Sequence, residues 1–308
     1  MLFRLIVLIG CFAACALGQS SDIFERLRKA PLPPGQGEAA AAALKQRDFA
    51  GVESILSRNA PPVLSQRAEL LSLAGAVKFL AGDMAAAIAD FDRAAAITPL
   101  SDADSFTLAM ALVKGGDDAR ARTILADLDR RHPDRAIYLY WLGRLDYDQR
   151  RYQEAVAKLT RASQLDPNSA RIWDSLGLAY DMQAKNDQAL AALETAVKLN
   201  RPDRHPSPWP PHDLGYLLLR MEGFPDAEAM LRESLRYEPQ LAQTHYYLGR
   251  TLEKEKKDTE AVEQYEAAVR MDPDASAACY SLAMLYRKLH RETEAAAMFA
   301  EYRKRTQR

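Results

Sequence analysis

The chain has 308 residues, 48% of them hydrophobic and 27% charged, with a formal net charge of −1. That composition belongs to a protein with a sizeable buried core and excludes a disordered chain. The near-neutral balance also lacks the basic excess of a bulk nucleic-acid binder, so no nucleic-acid partner is expected.

Residues 1–18 read as a signal peptide. Arg4 precedes an apolar run from Leu5 to Leu17, and small residues at Ala16 and Gly18 suit cleavage; the run is too short and poorly flanked for a membrane span. A lipoprotein signal is the rival reading. Leu8-Ile9-Gly10-Cys11 resembles a lipobox and Phe12-Ala13-Ala14-Cys15 does so more loosely, so a membrane is expected only through lipidation at Cys11 or Cys15. Both readings make the protein exported, to a periplasm or the medium. Cys279 is then the lone cysteine of the mature chain, and packing rather than disulfides must hold the fold.

Residues 19–34 read as a short helical or disordered lead ending in a proline-rich linker. Beyond it a fixed period takes over. Ala87, Ala121, Ala155, Ala189, Ala227, Ala261 and Ala295 are spaced by 34 residues, except for one interval of 38. Small residues at Gly75, Ala109, Gly143, Gly177, Gly215, Gly249 and Ala283 keep the same beat, as do bulky ones at Phe91, Leu125, Leu159, Leu193, Leu231, Tyr265 and Phe299. Proline closes most units, at Pro99, Pro133, Pro167, Pro239 and Pro273.

Leu176, Gly177 and Tyr180 fall on one side of a helix, and Ala189, Leu193 and Ala196 on one side of the next. Each unit is thus expected to be two amphipathic helices. The small residues belong where paired backbones approach, and the bulky ones are expected to fill the step between units. Residues 35–67 form a degenerate first unit, 68–203 four units, and 212–308 three more. Between the last two blocks lies a Pro-rich insertion, 204–211, within the stretch Arg201–Gly215 that carries five prolines and Trp209. The helix there is expected to begin near Pro211, about a turn short, with Trp209 filling the gap or projecting as an anchor, and with a hinge or kink at this place.

The phrases "WDSLGLAY" (173–180) and "AVEQYEAAVRMDP" (261–273) resemble the tetratricopeptide repeat family, whose unit runs W-x2-L-G-x2-Y, then A-x3-F, then P. The resemblance implies an all-α fold, an α-solenoid or superhelix of antiparallel helix pairs. It also implies a non-enzymatic scaffold that takes a protein or peptide partner in a groove lined by the first helix of each unit.

No nucleophile-elbow, phosphate-loop or zinc-helix motif occurs, so no enzyme activity, metal or cofactor is expected. His205 and His212 flank the proline stretch, where nothing holds them in the geometry a metal needs. Under the resemblance the groove residues are Phe106, Tyr140, Arg144, Tyr147, Trp209, His212, Tyr216, Arg220, Tyr246, Arg250 and Tyr280. Aromatic and arginine side chains at these places suit apolar anchors and acidic groups on a partner. A glycan stacking on the aromatic rings is the alternative, and a role in envelope assembly or secretion is the expected setting.

Overall fold

The computed structural model describes residues 23–59, 61–272 and 274–307. The signal segment with Cys11 and Cys15, together with Pro273, lies outside the described residues. Those residues fold as helices joined by short turns, with no strand among them. No described helix is long and apolar enough to cross a membrane. The chain divides into two compact units, Met1–Leu145 and Asp146–Arg308.

In the first unit a short helix α1 (23–29) precedes three pairs: α2 (Gln36–Lys45) with α3 (Phe49–Arg58), α4 (Leu64–Ala81) with α5 (Met84–Ala95), and α6 (Asp102–Gly115) with α7 (Asp118–Arg131). Helix α8 (Ala136–Asp148) carries the boundary between the units. The second unit continues with α9 (Tyr152–Leu165), then α10 (Ala170–Asp181) with α11 (Asn186–Asn200) and α12 (Trp209–Arg220) with α13 (Phe224–Tyr237). It ends with α14 (Ala242–Lys254) and α15 (Asp258–Met271), and α16 (Ser276–Lys288) and α17 (Glu292–Thr306).

The periodic glycines explain the pairing. A Cβ on Gly177 would lie 2.6 Å from Leu193 Cγ, on Gly215 2.7 Å from Leu231 Cγ, and on Gly249 2.7 Å from the Tyr265 ring. Side chain and backbone are already in contact, so only hydrogen fits there. This corrects the expected place of the bulky series: Leu193, Leu231 and Tyr265 pack on the glycine of their own pair, where the two helices approach closest. All three are fully or almost fully buried, as are Phe91, Leu125 and Leu159, each side chain contributing about 2 kcal/mol by leaving water.

The turn inside each pair adopts one backbone form. Arg47, Gly82, Gly116, Arg150, Ala184, Glu222, Lys256 and His290 all have positive φ, between 56° and 89°. Such a left-handed residue ends the first helix and aims the chain into the second. Buried carboxylates beside the turns find cations. Asp90 takes Lys78 at 2.6 Å and also Arg93, while Asp146 takes Lys158 at 2.6 Å and Arg151 at 2.7 Å.

The proline stretch differs from its expected form in the start and length of its helix. Helix α12 starts at Trp209, with Pro210 and Pro211 inside its first turn, and at twelve residues it is as long as α10. First-turn amides have no acceptor within the helix, so proline costs nothing there. The stretch lies within the second unit and is braced. Buried Asn200 donates from Nδ2 to the Ser207 carbonyl and accepts from the Ser207 amide, both at 2.8 Å, closing the loop as a backbone pair would. Arg201 adds a two-pronged pair with Glu233 at 2.7 and 2.9 Å.

Candidate functional site

Helices α12 and α14, the first helices of successive pairs, touch one another and present a run of aromatic side chains. Trp209 sits edge-on to His212, with centroids 5.4 Å apart, and His212 lies 5.5 Å from Tyr247. Tyr247 stacks on Tyr216 at 4.5 Å and 29°, and lies 5.5 Å from Tyr246. Two guanidinium groups cover the ends, Arg220 over Tyr216 at 5.6 Å and Arg250 over Tyr246 at 5.8 Å.

Trp209, Tyr216, Tyr246, Tyr247 and Arg250 are half-buried and Arg220 is exposed, so the aromatic run is partly open to solvent. Beneath them His212 is 2% exposed and shares a 2.7 Å hydrogen bond through Nδ1 with the Thr244 hydroxyl. Burial pushes its pKa down to about 4, so the imidazole is neutral near pH 7. The phenol of Tyr247 accepts from Gln243 Nε2 at 3.0 Å, and burial raises its pKa. Arg220 is held by Asp181, whose carboxylate oxygens lie 2.6 and 2.7 Å from it. The face thus offers flat apolar area, fixed in place, with positive charge at its rim.

Six of the residues singled out from the sequence meet here: Trp209, His212, Tyr216, Arg220, Tyr246 and Arg250. His212 supports the face from below rather than lining it. Tyr147 packs on Tyr152 at 5.6 Å, and Tyr280, 46% exposed, packs on Tyr302 and Phe299 of α17 at 5.4 and 6.0 Å. In the first unit, Phe106 and Tyr140 are 8% and 2% exposed and meet Tyr138 and Trp141 edge-on, which makes them packing residues; Arg144 is half-buried. Sequence reasoning missed Tyr247, the ring that joins the others. The doublet Tyr246-Tyr247 was the available signal.

Among the described residues no three His, Cys, Asp or Glu side chains gather as metal ligands. Cys279 is fully buried and burial raises its thiol pKa, which leaves little thiolate for nucleophilic chemistry.

The chain is similar to several solved structures, and of the three that follow the first two show the fold alone. The crystal structure of the APC/C hetero-tetramer Cut9-Hcn1 shares 14% identity at a TM-score of 0.67, over 87% of this chain and 55% of that one. A tetratricopeptide repeat protein from Parabacteroides merdae shares 15% at 0.65, over 86% and 99%. YrrB, described as a TPR protein with an unusual peptide-binding site, shares 19% at 0.49, over 58% and 90%. Comparison with curated proteins gives no match. Tetratricopeptide repeat family models match residues 106–170, 212–275 and 259–307, and residues 170–203. The chain belongs to the tetratricopeptide repeat family.

Proposed function

We propose that the chain is an exported, non-enzymatic interaction scaffold that holds a segment of a partner protein on the α12–α14 face. The family supports the scaffold reading, since its members bind protein or peptide partners. The stacked pair Tyr216 and Tyr247, half open to solvent between Arg220 and Arg250, carries the rest. An exposed aromatic patch with guanidinium groups at its edge suits a segment with apolar anchors and acidic residues, bound more weakly as salt rises. Export and a role in envelope assembly or secretion rest on the N-terminal sequence.

The test is capture from envelope extract with the wild-type chain beside Tyr216→Ala and Arg250→Ala variants of unchanged melting temperature. Proteins recovered by the wild type and lost from both variants support the face. Identical recovery by all three sinks it, and a chain that stays in the cytoplasmic fraction removes the export reading.

A further inference from the structure

The first unit carries a different surface, already occupied. In α1 the side chains of Ile23 and Leu27, one turn apart, are 4% and 0% exposed, while Glu25, Arg28 and Lys29 face solvent. Helix α1 lies directly on α2, where a Cβ on Gly37 would come 2.6 Å from the Leu27 carbonyl oxygen. From there Arg26 reaches α6, donating to both oxygens of Asp104 at 2.9 and 3.0 Å, across 78 positions of sequence. Beside the Arg26–Asp104 pair lies a cavity of about 380 Å³, lined by Arg26, by Ser65, Ala68, Glu69 and Ser72 of α4, and by the chain leading into α6. Helices α2, α4 and α6 are the first helices of three successive pairs, so α1 crosses the face that corresponds to the aromatic one of the second unit.

The chemistry of Asp104 says what this face accepts. Its side chain is 6% exposed and further fixed by the Ser101 hydroxyl, which donates to it at 2.9 Å. Buried Asp90 and Asp146 draw a cation from the helix pairs themselves, Lys78 and Lys158. Asp104 takes its two-pronged cation from α1, outside the pairs. A carboxylate so buried is costly without a partner, and its two parallel acceptors match a guanidinium rather than an ammonium. A linker with three prolines (30–35) separates α1 from α2, and the described contacts of Ile23, Leu27 and Arg26 hold it on this face.

We propose that the first-helix face of the first unit is a docking site for a short amphipathic helix bearing one arginine beside apolar residues, in the pattern of Ile23, Arg26 and Leu27. Helix α1 is its resident occupant, and a partner helix of that pattern displaces it. This site shares no residue with the aromatic face of the second unit, so either reading can fail while the other stands.

The test uses the full chain and a fluorescein-labelled peptide of residues 21–31, read by anisotropy. Replacing Arg26 by Ala in the chain loosens its own α1, so this variant binds the peptide about tenfold tighter than the wild type does. The same peptide with Arg26 replaced by lysine and Arg28 kept binds the variant about tenfold more weakly. Adding Asp104→Asn to the Arg26→Ala chain removes the binding. Ser65→Trp, at an exposed position lining the cavity, removes it too and keeps the test valid if Asp104→Asn unfolds. Equal binding of the peptide by wild type and Arg26→Ala overturns the proposal, as does binding that survives both blocking substitutions.

Discussion

The two units make the same turn with different residues. In the first, the left-handed positions Arg47, Gly82 and Gly116 are followed by Asp48, Asp83 and Asp117, whose carboxylates accept from the amides of Gly51, Ala86 and Arg120 at 2.9–3.1 Å. In the second, Arg150, Ala184, Glu222, Lys256 and His290 take the left-handed place. They are followed by Arg151, Lys185, Gly223, Lys257 and Arg291, none of which caps its helix with a side chain. Local chemistry favours the first version through the aspartate cap at all three turns and through glycine at positive φ at two of them. That both versions close to the same backbone teaches that packing between helices, not turn propensity, sets the geometry in the second unit.

Acid should strain that packing most. His212 stays neutral when buried in the fold, with its pKa lowered from 6.5 to about 4. The unfolded state therefore binds the extra proton first, and stability present above pH 6.5 is lost as pH falls toward 4, by about 3 kcal/mol. Hydrogen exchange should show α12–α14 loosening in this range, and His212→Gln should flatten the dependence. A slope unchanged by the substitution would assign the loss to other groups.

Next in size is the close approach within a pair. In Gly249→Ala the new methyl meets a Tyr265 ring that is fully buried and tethered through its hydroxyl to Glu253 at 3.0 Å. The expected cost is about 2 kcal/mol, as for overpacking in a rigid core. Gly75→Ala in the first unit meets the untethered Phe91 ring at 3.0–3.1 Å and should cost about half as much by the same rule. Denaturant melts of the two variants rank them, and a reversed order would break the contrast between the units.

Caps come third. Asp117→Ala should lower stability by about 1 kcal/mol. Lys185 has φ −90° and ψ 67°, the same values as Asp117, so Lys185→Asp should raise stability by a similar amount, about 1 kcal/mol, by capping α11 and removing a cation from its N-terminus. No gain in the melting temperature of Lys185→Asp would mean that the second unit holds this turn by other means. Smallest is Ala184→Gly, where relief of the left-handed backbone is partly offset by the freer unfolded chain, for a net gain of about 0.5 kcal/mol. Thermal melts in the Lys185→Asp background test whether the two add.

Much of the fold was legible in residues 34 apart. Gly177, Gly215 and Gly249 recur because a neighbouring helix occupies the space of a Cβ, and that demand repeats with every pair. The left-handed turn residue was hidden, because Arg150, Ala184, Glu222 and Lys256 carry no turn signal of their own. The site was legible only in part. Register places Phe106, Tyr140 and His212 on the same helix face as Tyr216 and Tyr246, but register does not report depth, and these three are buried.

The sequence by itself determined the helix pairs, the period of the unit and the close approach at Gly177, Gly215 and Gly249. Those follow from helical periodicity and from steric rules that act between adjacent elements. Only the tertiary structure decided that Tyr247 joins the aromatic face and that α1 lies across the first unit with Arg26 on Asp104. An ion pair spanning 78 positions leaves no periodic trace, because nothing local depends on it until the chain has folded.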